Sequence, residues 1–85
     1  MNARLDVDFV PAEGAMLRIL GLIERRGYRI HELTLSERPQ RSSSLSMLIE
    51  ARDAGRQPDI VARQVGNLFD VSSVTLSPSQ PSARP

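Results

Sequence analysis

The residues best placed to do chemistry lie in a short segment from Pro11 to Gly14, between a predicted strand and a predicted helix. Backbone N–H groups at the start of a helix have no partner inside the helix, and the helix dipole adds partial positive charge there. Gly14 lets a ligand or another backbone approach closely. A small carboxylate, such as that of an amino acid, suits this combination. A plain loop with a glycine in the first helical turn fits the same spacing equally well.

Two other features offer less specific chemistry. Arg25, Arg26 and Arg29 form a basic cluster that could bind an anion, but cations are favoured at the C-terminal end of a helix, and this explains two of the three. His31 is the only histidine, and no second catalytic group stands in a motif-like relation to it. We therefore interpret the arginines as a solvated helix end and His31 as a structural or exposed residue.

Composition excludes several classes of function. The chain has 85 residues, 11 of them basic and 10 acidic, with a formal net charge of +1. This balance disfavours a nucleic-acid or membrane-surface binder, which carries a clear basic excess. The absence of cysteine and the single histidine argue against a metal site, a redox pair and a cysteine nucleophile. No apolar run approaches the ~20 residues that cross a bilayer, and no signal peptide is evident. We expect a cytoplasmic domain that is not an enzyme by itself, with no catalytic residue and no metal.

Hydrophobic periodicity predicts the elements that position these residues. Alternation with a period of two predicts strands, and a period near 3.6 predicts amphipathic helices. In chain order the predicted elements are a strand at 3–9, a helix at 12–26, a strand at 28–36, a strand at 45–52, a helix from Pro58 and a strand at 70–76. Gly27 is the expected left-handed cap of the first helix, and a polar loop covers residues 37–44.

The order β-α-β-β-α-β predicts an α+β fold, the ferredoxin-like sandwich, with a four-stranded antiparallel sheet and both helices on one face. We expect the domain to span residues 2–76. Residues 77–85 contain three prolines and three serines and predict a disordered tail.

The apolar pattern of the second strand changes phase near His31, which indicates a bulge or apolar contacts on both faces. By strict alternation of side chains along the strands, four apolar residues face away from the predicted core: Val10, Leu33, Leu35 and Leu48. A small domain buries little of its surface alone. We therefore expect an oligomer that covers the open sheet face or edge.

Two segments at a fixed separation carry a family resemblance. The first covers residues 13–23, 26–30 and 33–35, and the second covers residues 65–71. Together they resemble the ACT domain of acetolactate synthase small subunits, over about residues 4–76. Arg-Gly-Tyr-Arg-Ile in the first segment and Leu-Phe-Asp-Val in the second are its most specific parts.

The resemblance implies a non-catalytic subunit that binds and activates a large subunit in branched-chain amino-acid biosynthesis. That large subunit would carry thiamine diphosphate, Mg and FAD and make 2-acetolactate from pyruvate, so no cofactor is expected on this chain. The resemblance also implies a homodimer through ACT domains, with an amino-acid effector between the first loop of one chain and the second strand of its neighbour. The candidate effector residues are Glu13, Gly14, Ala15, Met16, Arg29 and Ile30.

Two departures from the family pattern bear on this effector site. Pro11 stands where the family has an asparagine, so a side-chain amide and a backbone N–H are lost. Arg29 replaces a second asparagine, while Gly14 is kept. We expect no C-terminal domain of the kind that longer small subunits carry, as in the short, valine-insensitive type. We expect an activating subunit with weak or absent valine feedback. The alternative is a free-standing ACT-domain amino-acid sensor or oligomerisation module that regulates another protein.

Overall fold

A computed structural model of the chain describes residues 2–38, 42–53 and 55–78. Its elements in chain order are β1 (Asn2–Phe9), α1 (Ala15–Arg25), β2 (Tyr28–Arg38), β3 (Ser42–Ala51), α2 (Pro58–Gly66) and β4 (Val71–Pro78). The strands form one antiparallel sheet in the order β2-β3-β1-β4. Both helices pack on one face of it. The predicted ferredoxin-like α+β sandwich is therefore confirmed.

The core lies between this face of the sheet and the two helices. Alternate residues of the two central strands are buried, among them Leu5 and Val7 of β1 and Leu45 and Met47 of β3. Helix α1 contributes a stripe of buried residues at helical spacing that includes Ile19. The two central strands of the sheet are thus the most completely covered part of the domain.

The opposite face of the sheet is mainly polar, although Leu48 of β3 lies on it, as predicted, between Arg4 and Glu32. Asp6 lies between Ser46 of β3 and Thr75 of β4, and Asp8 lies between Ser44 and Ser73 in the same manner. Short hydroxyl side chains and carboxylates remain solvated at low cost, so this face does not need a covering partner.

Strand β2 contains the predicted bulge, since its register against β3 shifts between Ile30 and Glu32. The extra residue returns Leu33 and Leu35 to the helix side of the sheet, opposite the buried Met47 and Leu45. Their assignment to the parity opposite the core was therefore wrong. Both stay about half exposed because β2 is an edge strand. The exposed apolar surface of β2 therefore lies along this edge, on the helix side of the sheet.

Several boundaries differ from the predicted ones. Helix α1 begins at Ala15 rather than at residue 12, because Gly14 before it adopts a left-handed conformation. Strands β2 and β3 extend into the predicted loop at 37–44, of which residues 39–41 lie outside the described residues. Strand β4 runs to Pro78, past the predicted boundary at 76, because Ser77 and Pro78 pair with β1.

The rest of the predicted tail, residues 79–85, lies outside the described residues. In the part of the chain that is described, neither helix is long and apolar enough to cross a membrane.

Candidate functional site

The loop between β1 and α1 (residues 10–14) forms the centre of the candidate site. Gly14 stands directly before the helix with φ of 80° and ψ of −2°, a conformation that favours glycine. No side chain within the described residues caps this helix start. In the same part of the chain, the backbone N–H groups of Glu13, Gly14, Met16 and Leu17 donate to no backbone carbonyl. The loop therefore offers several free donors of the kind that bind a carboxylate.

An ion pair closes one side of this loop. Arg18, in the first part of α1, binds the carboxylate of Asp70 at the start of β4. The Asp70 side chain is only 10% exposed, whereas that of Arg18 is 51% exposed. The Asp70 carbonyl also accepts a hydrogen bond of 2.8 Å from the N–H of Val10. Asp70 thus holds both the start of the loop and the first part of α1.

The guanidinium of Arg18 also lies close to the loop glycine. A Cβ atom placed on Gly14 would lie 3.1 Å from Nη1 of Arg18. A guanidinium has five N–H donors, so the bond to Asp70 leaves others available. A carboxylate bound at Gly14 would therefore meet backbone N–H groups and a guanidinium together.

The structure places the predicted effector residues in two separate groups. In the first group, Glu13 is exposed, Ala15 is buried and Met16 packs partly against the core. In the second group, Arg29 is exposed on the polar sheet face, and Ile30 is half-buried on the helix side. Within one chain, the first group therefore lies at the start of α1 and the second on β2.

These two groups lie at opposite ends of the sheet. Phe9, the last residue of β1, is opposite Ser43, whereas Arg29 is opposite Glu50, further along the same strand β3. Seven residues of extended strand separate Ser43 from Glu50, which corresponds to roughly 24 Å. A single chain does not bring the loop and Arg29 together, and their assignment to one effector site stays a prediction.

The predicted basic cluster does not converge on one point. Arg25 lies along α1, where its Nη1 would be 3.8 Å from a Cβ atom on Gly21. Arg26 lines a cleft at the C-terminal end of the helix together with Arg56. Arg29 faces the polar side of the sheet. All three arginines are exposed, in line with their interpretation as a solvated helix end, and Arg26 shares the cleft with Arg56 rather than with the other two.

His31 makes a local contact on the polar sheet face. Its Nε2 atom is 2.6 Å from Oε1 of Glu50, and both side chains are exposed. This hydrogen bond is the main cause that lowers the pKa of Glu50 below its ordinary value, and the charge of Arg29 adds to it. The pair explains His31 as an exposed structural residue.

Sequence reasoning missed the roles of Asp70 and Arg56. Arg18 belongs to one of the two segments that carry the family resemblance and Asp70 to the other, and this was a signal that the two residues lie close together. Arg56 lies in a turn with no periodic pattern and offered no comparable signal.

A βαββαβ sandwich hosts many unrelated functions, so the fold alone does not assign one to this chain. A family model of the ACT domain matches residues 11–74, which is most of the chain. The chain therefore belongs to the ACT-domain family. ACT domains are regulatory, non-catalytic modules that bind amino acids. No curated protein sequence matches the chain.

Solved structures with the same fold come from several proteins. The ACT domain of a GTP pyrophosphokinase from Chlorobium tepidum matches with a TM-score of 0.73 and 13% identity, over 89% of this chain and 96% of that one. The C-terminal domain of the MgtC protein from Mycobacterium tuberculosis matches with a TM-score of 0.73 and 12% identity, over 92% and 86% of the two chains.

A formyltetrahydrofolate deformylase from Burkholderia mallei matches with a TM-score of 0.68 and 17% identity, over 91% of this chain but 28% of its own. In that protein the fold is one part of a longer chain. At these identities the three structures establish the fold alone.

Proposed function

We propose that this chain is the short, activating small subunit of an acetolactate synthase and that valine regulates it weakly or not at all. The observation that carries the proposal is the ion pair between Arg18 and Asp70. It joins the two segments that resemble acetolactate synthase small subunits, and it borders the loop where ACT domains of that type receive their effector. Thiamine diphosphate, Mg and FAD would then be held by the large subunit.

A homodimer through the β2 edge would complete the effector site. Leu33 and Leu35 are 45% and 48% exposed on the helix side of this edge, and burying them favours association. If the β2 strands of two copies pair antiparallel with Leu33 near the centre, Arg29 of the partner subunit lies near the end of β2 that contains Ser36 and Glu37. Glu37 is in line with Phe9, which precedes the loop. Such a dimer brings together the two groups that one chain keeps apart.

The loop of this chain is a poor receptor for valine. Pro11 has no N–H group, and the N–H of Ala12 already donates to the carbonyl of Val10 over 2.7 Å. Arg29 supplies a charged donor in place of the neutral amide of the family pattern. Arg18 and the free N–H groups still attract a carboxylate, but the amides that would fix its orientation are missing. We therefore expect weak valine feedback together with intact assembly.

Reconstitution with the cognate large subunit tests the activating function. The large subunit should form acetolactate several-fold faster when the full chain is added, and the two should co-purify. Millimolar valine should leave the rate unchanged. Absence of both stimulation and co-purification would overturn the proposal, whereas strong inhibition by valine would overturn only the part about feedback.

Charged substitutions test the dimer. The double variant Leu33→Glu/Leu35→Glu should be monomeric by size exclusion with light scattering, because it places carboxylates in the β2 edge. The control is Thr34→Gln on the same strand, since Thr34 faces the polar side of the sheet opposite Ser46 and glutamine adds no charge at the β2 edge. A monomeric wild-type chain, or dimers in both variants, would argue against this edge.

A second candidate function is a free-standing amino-acid sensor that regulates another protein. The free N–H groups of the β1–α1 loop and the nearby Arg18 favour it, because they suit any small amino acid. Calorimetry against the twenty amino acids separates the two functions. One clear binder together with no effect on the synthase would favour the sensor.

A further inference from the structure

A cleft lies at the end of α1 opposite the β1–α1 loop. The C-terminal end of α1, the first residue of β2 and the first half of α2 surround it, and its volume is about 230 Å³. At about 30 Å³ for each water molecule, this volume has room for roughly eight groups of that size. The cleft therefore has room for a small metabolite.

Two arginines line the cleft, and no acidic residue of the described chain lines it. Arg56 lies directly over the backbone of Gly27, where a Cβ atom would be only 2.3 Å from Nε of Arg56. Gly27 has a φ of 92°, a backbone conformation that favours glycine. Both this conformation and the close approach of Arg56 therefore favour glycine at position 27. The arginine is thus held at the cleft by the shape of the backbone beneath it.

Nearby carboxylates neutralise this charge only in part. Arg56 pairs with Asp53 over 3.1 Å, but the Asp53 side chain is 63% exposed and lies outside the cleft lining. Asp59 is near enough to act on Tyr28 and also lies outside the lining. Within the described residues, no carboxylate lies within 4 Å of the Arg26 guanidinium. Both guanidinium groups therefore keep donors for an incoming anion.

The floor of the cleft contains an unpaired polar atom. Oε1 of Gln64 is buried and has no hydrogen-bond partner among the described residues. A buried acceptor without a partner is costly, and such atoms are uncommon in folded proteins. Gln64 lines the same cleft as the two arginines. Because Oε1 itself is closed off from the cleft, a ligand that carries an N–H or O–H group would satisfy this oxygen only after the Gln64 side chain rotates toward it.

The remaining wall is set by the core. Tyr28 is 3% exposed, and burial raises the pKa of its phenol, so the hydroxyl keeps its proton at neutral pH. Val61 is buried, while Ile60 is 47% exposed at the rim of the cleft. This wall offers a rigid apolar surface to the carbon skeleton of a ligand.

We propose that this cleft binds a small organic anion. Arg26 and Arg56 would hold its carboxylate or phosphate group, and Gln64, after a rotation of its side chain, would accept a hydrogen bond from its amino or hydroxyl group. Guanidinium groups recognise either oxyanion through paired hydrogen bonds, so the two share one chemistry. This site is separate from the β1–α1 loop, and it stands or falls independently of the proposed synthase partner.

Titrations of the full chain followed by backbone amide NMR test this site. The probes are inorganic phosphate, O-phospho-L-serine and L-aspartate. At least one should give saturable shifts at the amides of Gly27, Gly55 and Ile60, with a dissociation constant of about 1 mM or below. Tight binding of the phosphate probes identifies a phosphate ligand, and tight binding of aspartate alone identifies a carboxylate.

Variants separate this site from non-specific attraction. Arg26→Gln/Arg56→Gln should raise the dissociation constant by at least about tenfold, because it removes both charge-assisted contacts. The control Arg63→Gln changes an exposed arginine of α2 outside the lining and should leave it unchanged. Gln64→Leu should weaken the amino-bearing probes more than inorganic phosphate.

Three results would overturn the proposal. They are no saturable binding by any probe, equal affinity in the double arginine variant, or shifts confined to residues 13–17. The spectra themselves show whether each variant is folded, so a loss of binding is not confused with a loss of structure.

Discussion

The two ends of α1 are built in a similar way. Each is flanked by a glycine with positive φ, Gly14 before the helix and Gly27 after it. At each end an arginine lies against that glycine, so that a Cβ atom would be 3.1 Å from Nη1 of Arg18 or 2.3 Å from Nε of Arg56. In both places glycine allows a guanidinium to approach the backbone closely.

The carboxylate partners of these arginines differ. Arg18 pairs with Asp70, whose side chain is 10% exposed, while Arg56 pairs with Asp53, which is 63% exposed. Water screens the second pair far more than the first. At the N-terminal end of α1 the positive charge therefore helps to close the fold, and at the C-terminal end it remains open to a ligand. The burial of the partner, rather than the presence of arginine, distinguishes the two ends.

Alanine substitutions at the two glycines should have the largest effects. Gly14→Ala should lower the free energy of unfolding by about 1–2 kcal/mol, because alanine is strained at positive φ. Gly27→Ala should cost about 2 kcal/mol or more, since its Cβ atom must also displace Arg56. Urea unfolding measures both values.

The control for this pair is Gly21→Ala inside α1. A Cβ atom there makes only an ordinary contact of 3.8 Å with Arg25, so helix propensity should raise stability by up to about 1 kcal/mol. If Gly27→Ala were as stable as Gly21→Ala, Arg56 would not be held against the backbone, and the similarity of the two ends would fail.

Removing the carboxylate at each end of α1 should change the free energy of unfolding by different amounts. Asp70→Asn should lower the free energy of unfolding by about 1–2 kcal/mol, because it weakens a bond to a largely buried group. Asp53→Asn should change it by less than about 0.5 kcal/mol, because that pair is exposed. Urea unfolding measures both losses, and adding Arg18→Gln and Arg18→Gln/Asp70→Asn gives the coupling between Arg18 and Asp70. Equal losses for the two asparagine variants would remove the distinction between the ends.

Local sequence patterns were sufficient for the order of the elements. Alternation in β1 and β3, helical spacing in α1, Pro58 at the start of α2 and Gly27 after α1 are all signals within a few residues. The face of Leu33 was predicted incorrectly, because it depends on how β2 pairs with β3 beyond the bulge. That register is set by the partner strand and cannot be read from β2 alone.

The candidate site was predictable only in part, for a related reason. The β1–α1 loop could be located from the start of the helix, since free N–H groups follow from the backbone alone. The pairs Arg18–Asp70 and Arg26–Arg56 join residues far apart in the sequence, and only the packed fold brings them together. Charge and composition identify such residues as candidates, but they do not indicate which of them are in contact in the fold.

The C-terminal end of α1 should also respond to alkaline pH. Burial raises the pKa of Tyr28 above its ordinary value of about 10, with Arg56 opposing the shift and Asp59 adding to it. The stability from the neutral phenol is present below that ordinary value and is lost as pH rises through the pKa in the folded state. Tm should therefore fall above about pH 10, and less steeply in Tyr28→Phe.

The phenolate absorbance gives a direct measurement of this titration, because Tyr28 is the only tyrosine and the chain has no tryptophan. Asp70→Asn, at the other end of α1, is the control and should leave the titration unchanged. A titration of Tyr28 at or below the value of a free tyrosine would mean that the cleft wall is open to water.

The smallest expected effect concerns an exposed pair away from both ends of α1. Oε1 of Glu50 is 2.6 Å from Nε2 of His31, and this hydrogen bond lowers the pKa of Glu50. Its contribution to stability is present above the ordinary glutamate pKa of about 4.3 and is lost as pH falls through the lower pKa in the folded state. Glu50→Gln should therefore be less stable than the wild type near neutral pH and equal to it in strong acid, as Tm against pH would show.

Glu32→Gln, on the same polar face, should show no such convergence. Because both partners are exposed, a loss as large as that of Asp70→Asn would contradict the principle that partner burial sets the strength of these pairs.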